Sequence, residues 1–175
     1  MSPAHLQARA GLWRGALVGF ACSSAVLCTL TFPPAPRLVW NASASAPLGL
    51  YRVYPNVLPA RGDMVIAWAP KRYRRLAAER HYLPSNVPLV KRVAAVAGDR
   101  VCAAGGAILV DGSIVAHRLA ADARGRPLPW WQGCRTLALG EYLLLTDAPA
   151  SFDGRYFGIS HADQLVGRAR PLWTR

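Results

Sequence analysis

The chain has 175 residues, 53% hydrophobic and only 17% charged, and its 21 Lys and Arg against 9 Asp and Glu give a formal net charge of +12. At about 150 residues per domain this length supports one folded domain, and the apolar content excludes a disordered basic tail, which needs low hydrophobicity. A charge content below the ~25% of ordinary globular chains argues against a soluble nucleic-acid binder. No specific nucleic-acid partner is therefore expected, and apolar content with positive charge points to a membrane protein.

Residues 15–36 carry no charge, and the apolar part runs from Gly15 to Phe32 before Pro33, Pro34 and Pro36 stop any helix. A spanning helix needs ~20 mostly apolar residues. Gly15–Phe32 is short for that, but Gly11, Leu12 and Trp13 extend it if Arg14 snorkels. His5, Arg9 and Arg14 precede the segment, and the first acidic residue of the chain is Asp63. The expected layout is a cytoplasmic N-terminus over 1–14, a transmembrane anchor over 15–35 and an extracytoplasmic body over 36–175. A cleavable signal peptide is the rival reading, supported by the A-x-A-like Ala42-Ser43-Ala44. Its h-region would exceed the usual ~7–15 residues, and that site lies well beyond Phe32. Gly11, Gly15 and Gly19 form overlapping G-x-x-x-G spacings, a weak helix-packing signal.

In the body, Leu50–Tyr54 and Met64–Trp68 read as strands around a turn rich in Pro and Gly. Residues 71–82 have helical composition between Pro70 and Pro84. Leu89–Val96 reads as a buried strand. Ile108–Val110 and Ser113–Ala116 flank Asp111-Gly112, which predicts a hairpin. Arg118–Gly133 reads as a polar surface excursion within a surface insertion over 103–135. Tyr142–Thr146 is a further strand, Ser151–Gly158 a loop, and Gln164–Leu172 a final strand. Short strands with frequent turns predict a mostly β, antiparallel barrel or sandwich.

Of four cysteines, Cys22 and Cys28 lie in the anchor and read as apolar fillers. Cys102 and Cys134 lie in the body, where an oxidising compartment would let them pair across about thirty residues. There is no C-x-x-C or H-E-x-x-H, and the four histidines are scattered. No metal or other cofactor is expected.

No G-x-S-x-G elbow occurs, and no histidine has the setting of a base. Three other segments carry chemistry: residues 41–51 (NASASAPLGLY), residues 88–93 (PLVKRV) with Gly98-Asp99, and residues 151–158 (SFDGRYFG). Lys91 is the one ammonium at the start of an apolar strand. Burial lowers a lysine pKa, and a neutral amine can deprotonate a serine hydroxyl; taken alone, the residue equally fits a lysine that snorkels at a strand edge and keeps its charge in water, as most lysines do. Ser45 sits among small residues that let a substrate backbone approach. The Ser45 backbone N–H and the Ser43 hydroxyl together would form an oxyanion hole. The segment by itself equally fits a flexible Ala/Ser linker.

These segments resemble the successive boxes of the type I signal peptidases, and most of all the branch that serves conjugative plasmid transfer, the TraF-type peptidases. Residues 41–51 fit that branch's nucleophile box, N-x-T/S-x-S-x-P-x-G-x-Y. Arg61-Gly62-Asp63-Met64-Val65 resembles the next box, Lys91-Arg92-Val93 with Gly98-Asp99 the lysine box, and residues 151–158 the S-x-D-S-R-Y-W/F-G box. The resemblance covers roughly 37–172. It implies a signal peptidase-like β catalytic domain with Ser45 as nucleophile and Lys91 as general base. It also implies Ser43 in the oxyanion hole, Ser151 orienting the lysine amine, and Asp153 and Arg155 as a supporting pair. A carboxylate on Lys91 would favour its ammonium form, so Asp153 is expected against Arg155 rather than Lys91. The sequence departs from the pattern in three places. Ser45 is two residues before Pro47 where the general enzymes have three, which leaves Ser43 as the competing register. Leu89 replaces a common Tyr, and Gly154 replaces a Ser with little expected effect.

The resemblance further implies a single-pass protein of the bacterial inner membrane with a periplasmic catalytic domain. Its substrate would be a membrane-inserted, pilin-like precursor, with the acyl-enzyme resolved by water or, in a cyclising step, by an amine. Residues 71–92 hold seven Lys and Arg against one Glu, which suits anionic lipid headgroups. The same patch supports the competing class, a basic membrane-tethered binding component of a conjugation or secretion machine.

Overall fold

A computed structural model describes residues 3–32 and 35–175. The chain divides into an N-terminal unit, Met1–Ala35, and a body, Pro36–Arg175. The N-terminal unit is one helix, α1 (Pro3–Thr31). From Gly15 onward its side chains are small, apolar or hydroxylic, and Leu17, Phe20, Leu27 and Leu30 are exposed. Ser23 and Thr31 turn their hydroxyls back onto the carbonyls of Gly19 and Leu27. Among the described residues no helix is long and apolar enough to cross a membrane. The uncharged helical stretch over 15–31, at ~1.5 Å per residue, covers about 25 Å against a hydrocarbon core of ~30 Å. The expected span over 15–35 is thus not established by the fold. The helix stop at Pro33 and Pro34 lies outside the described residues. So do the side chains of His5, Arg9, Gly11, Leu12 and Arg14.

The body is mostly β. In chain order it runs β1 (Leu38–Asn41), β2 (Gly49–Tyr54), β3 (Met64–Ala67), α2 (Lys71–Glu79), β4 (Leu89–Ala95), β5 (Arg100–Ala104), β6 (Ala107–Val110), β7 (Ser113–His117), β8 (Gly133–Thr136), β9 (Glu141–Leu145), α3 (Gly154–Phe157), β10 (Ile159–His161) and β11 (Leu165–Thr174). The expected barrel or sandwich takes the form of two antiparallel sheets. One has seven strands in the order β1-β2-β11-β3-β4-β9-β10, the other four in the order β7-β6-β5-β8. Asp111 and Gly112 both have positive φ (50° and 82°), as a two-residue hairpin turn between β6 and β7 requires.

The local differences from the sequence reading have physical causes. The helix expected over 71–82 ends at Glu79 because His81 takes a left-handed conformation (φ 60°). The N–H groups of His81 and Tyr82 then close on the carbonyls of Ala78 and Ala77. The loop expected over 151–158 contains α3, whose residues are all buried. The region expected as a surface insertion over 103–135 supplies part of the core. Ala103, Ile108, Val110 and Ala116 pack with Val101, Leu143 and Leu145. Even the polar excursion over 118–133 begins with a buried Arg118.

Two further clusters set the frame of the site. Ala46, Tyr51, Val53, Ile66 and Val90 pack beneath the 41–51 segment. Val65, Ala67, Val93, Tyr142 and Leu144 form the other. Gly49, at φ 145°, lets β2 approach β11: an added Cβ would lie 2.0 Å from the Trp173 carbonyl.

Candidate active site

Three segments far apart in sequence converge on one buried ammonium. β4 places Lys91 opposite Val65 of β3, and its side chain is only 1% exposed. Its Nζ lies 3.3 Å from Ser45 Oγ and 2.5 Å from Ser151 Oγ. Burial pulls its pKa down from 10.5 to about 8; the nearby Asp153 carboxylate opposes that shift and the Arg155 guanidinium adds to it. A substantial share of Lys91 is therefore neutral near pH 8, with a lone pair available to a hydroxyl proton.

Ser45 lies in the loop between β1 and β2, and Asn41 shapes that loop. Its Nδ2 donates to the carbonyls of Ser43 (3.0 Å), Ala46 (3.1 Å) and Pro47 (3.0 Å), and its Oδ1 accepts from the Ser43 N–H (3.1 Å). Such Asx closure of a turn is what an Asn side chain does well. Tyr51 donates its hydroxyl to the Pro47 carbonyl at 2.8 Å. The result is a half-buried pair of serines. Ser43 Oγ lies 3.1 Å from Ser45 Oγ and accepts from the Ser45 N–H at 3.4 Å. Ser43 and the Ser45 N–H thus share one small region, while the lysine amine meets Ser45 Oγ and Ser151 Oγ.

The last segment holds a buried charged pair. Asp153 is 0% exposed. It accepts from the Arg155 N–H at 3.1 Å and from the Thr146 N–H and hydroxyl at 3.2 and 3.4 Å. Arg155 Nε stands 3.7 Å from its carboxylate. Burial raises the Asp153 pKa, and the charges of Lys91 and Arg155 counter that. Arg155 also donates to the carbonyls of Ala148 (2.7 Å), Pro149 (3.2 Å) and Thr146. It therefore shapes the 146–149 turn as much as it neutralises Asp153.

That turn and the Ser45 loop face each other across a cleft of about 220 Å³, lined among others by Ser45, Pro47, Met64, Arg92, Thr146 and Asp147.

Sequence reasoning assigned no individual role to Asn41 or Thr146. Asn41 opens the box read over 41–51, and its capacity for turn closure was the available signal. Thr146 ends a strand, with nothing to set it apart. Leu89 packs beside Ala69, Tyr73 and Phe157 and has no place at the amine. Gly154 is not a neutral departure. A Cβ there would sit 2.8 Å from the Leu144 carbonyl and 2.9 Å from Leu143 Cδ1. Cys102 and Cys134 face each other in register on β5 and β8 and are joined as a disulfide. Among the described residues no group of His, Cys, Asp and Glu is arranged to hold a metal.

A buried lysine amine thus lies within reach of a serine hydroxyl on an antiparallel β frame. The family model described as "Signal peptidase, peptidase S26" matches residues 11–173. The chain belongs to that family. It is 33% identical over 146 residues to the plasmid transfer protein TraF of Escherichia coli, spanning 77% of this chain and 81% of that one. It is 35% identical to a probable conjugal transfer protein TraF of Sinorhizobium fredii, spanning 77% of this chain and 76% of the relative. Among solved structures, a signal peptidase I from Enterococcus faecalis aligns over 64% of this chain and 97% of its own, at 18% identity and a TM-score of 0.38.

Proposed function

We propose that the protein is a membrane-anchored serine endopeptidase with Ser45 as nucleophile and Lys91 as general base. Its substrate is an exported, membrane-inserted precursor, of the pilin type used in conjugation. The observation that carries the reading is the buried Lys91 amine within reach of Ser45 Oγ.

In the proposed mechanism each of these side chains has one task. Neutral Lys91 takes the Ser45 hydroxyl proton as Oγ attacks the scissile carbonyl. The oxyanion takes over the Ser45 N–H, which in the free site rests on Ser43 Oγ, and the Ser43 hydroxyl rotates to donate to it as well. The Lys91 ammonium passes its proton to the leaving amine, and the acyl chain stays as an ester on Ser45. A second nucleophile, water or an amine, loses its proton to Lys91 as it attacks the ester, and Lys91 returns that proton to the departing Ser45 Oγ, which frees the product and restores the site. Ser151 accepts from Lys91 and holds the amine in line. Asp153 and Arg155 neutralise each other beneath it.

Anchoring by α1 rests on its uncharged run and exposed apolar side chains. A periplasmic body suits the Cys102–Cys134 disulfide, since such bonds persist in oxidising compartments. The conjugative substrate rests on the names of the relatives. Exposed Lys71, Arg72 and Arg75 on α2 supply a surface for anionic headgroups.

The test is co-expression with a prepilin. Wild type processes it, and Ser45→Ala and Lys91→Ala do not. Processing by both variants removes the dyad. Loss in Ser43→Ala with full activity in Ser45→Ala moves the nucleophile to Ser43.

A further inference from the structure

The segment over 118–131, which the proposed mechanism leaves unused, makes a set of contacts to α3. Trp131 Nε1 donates to the Gly154 carbonyl at 3.0 Å. Its indole lies against Gly158 at the end of that helix, 3.8 Å from where a Cβ would stand. The Leu119 N–H donates to the Tyr156 hydroxyl at 3.2 Å. Both ends of the segment are themselves held. The Arg118 N–H donates to the Gly106 carbonyl at 2.8 Å, and its guanidinium reaches the Trp131 carbonyl. Two residues past Gln132, Cys134 is bonded to Cys102 of β5. A stretch with almost no regular structure is thereby pinned at both ends and pressed onto one turn of helix.

That turn carries the surroundings of Lys91. Asp153 caps α3 by accepting from the Arg155 N–H, and Ser151 lies two residues before it. The charged groups acting on Lys91 are Asp153 and Arg155, both at α3. Ser45 and Ser151 meet it as neutral hydroxyls. Val65 faces it from β3 without charge, and the next strand residue, Arg92, turns away to the Gly62 carbonyl. Among the described residues, the two charges that act on the amine thus sit at the cap and in the turn of α3, and Arg92 and Asp147 line the cleft on the Ser45 side.

We propose that Trp131 is a positioning residue for Lys91: held by the disulfide-closed segment, it seats α3 through the Gly154 carbonyl, and with α3 it seats the capping Asp153 and, two residues earlier, Ser151, whose hydroxyl meets the amine. This rests on the dyad reading above. When the tie is cut, α3 moves off its seat and water reaches the Nζ. Burial is the largest cause of the lowered Lys91 pKa, so loss of burial returns the amine toward its ordinary value and leaves less of it neutral.

The experiment uses the full chain in detergent and a quenched fluorescent peptide with alanines one and three residues before the scissile bond. Rates are followed from pH 6 to 10. Trp131→Phe keeps an aromatic side chain but removes the N–H and the indole edge that lies against Gly158. The expected result is a lower kcat with KM little changed, and an ascending limb displaced to higher pH as the amine loses its burial. Tyr156→Phe, which removes the acceptor for Leu119, shifts the limb the same way by less, and reducing the disulfide of the wild type does so as well. Leu58→Ala, at an exposed side chain in the loop between β2 and β3, leaves the limb in place. A limb unmoved in Trp131→Phe and Tyr156→Phe overturns the proposal, as does an equal displacement in Leu58→Ala. If Trp131→Phe gives no cooperative melt, Tyr156→Phe and disulfide reduction decide. Lys91→Ala, run alongside, separates the two claims. Full activity there removes the dyad. An inactive Lys91→Ala with an unmoved limb in Trp131→Phe removes only the positioning role.

Discussion

Replacing Gly154 by alanine sets two opposing effects against each other at the first residue of α3. In favour of alanine stand its higher helix propensity and the smaller entropy of its unfolded chain, together worth about 1 kcal/mol where the native backbone suits it. Gly154 has no positive φ, so nothing in its backbone conformation resists the change. Against it stands the Leu144 carbonyl, 2.8 Å from the new Cβ, with Leu143 Cδ1 at 2.9 Å. Leu143 could turn aside, but the carbonyl belongs to β9, in the middle of the core, and cannot. α3 must lift, at the ~1–3 kcal/mol typical of overpacking or more for a backbone clash. The net expectation is destabilisation by about 1–2 kcal/mol, or roughly 2–8 °C in Tm for a chain of this size. Because the lift carries Asp153 and Ser151 with it, kcat falls further than stability alone explains. Calorimetry and steady-state rates on the purified chain measure both. A Gly154→Ala variant as stable and as active as wild type refutes the argument that α3 seats the site by direct backbone contact with β9.

Asp153→Asn removes the charge that raises the Lys91 pKa, so the ascending limb of the rate profile moves to lower pH while Arg155, left unpaired, lowers overall stability; a limb moving upward contradicts this. Asn41→Ala removes the bonds that close the nucleophile loop, and is expected to cost about 1–3 kcal/mol in urea unfolding and at least tenfold in kcat. Lys91→Met tests the electrostatics without catalysis. The folded pKa of about 8 lies below 10.5, so folding is penalised fully below pH 8 and not at all above pH 10.5. The variant should therefore gain on wild type as pH falls from 10.5 to 7, by about 3 kcal/mol at ~1.4 kcal/mol per pH unit. A pH-independent difference in stability contradicts the lowered pKa.

Strands with clear apolar runs, such as β2, β3, β4 and β9, were legible in the sequence, and so was the Asp111-Gly112 hairpin. β8 was not, because all four of its residues are exposed and an edge strand with no apolar face has no pattern to read; the disulfide and its pairing with β5 hold it. β1 had no pattern to read either, since only Asn41 of its four residues is buried. α3 looked like a loop because its helix is a single turn whose side chains are all buried, which leaves no amphipathic period. Within the site, Lys91 was marked by its own setting, one ammonium in an apolar strand. Ser45 and Ser151 were not marked by theirs. They lie 46 and 60 residues from Lys91 in sequence, and only the matched order of boxes linked them. Trp131 was invisible, because its role depends on where the 118–131 segment folds back.

The central claim is that Ser45 is acylated with Lys91 as its base. Mass spectrometry of the acid-quenched enzyme after incubation with a peptide ester, across pH 6 to 10, tests it directly. The expected result is an acyl adduct localised to Ser45 itself, half-maximal in rate near pH 8 and absent in Lys91→Ala. An adduct mapped to Ser43, or one that forms at an undiminished rate in Lys91→Ala, would contradict it.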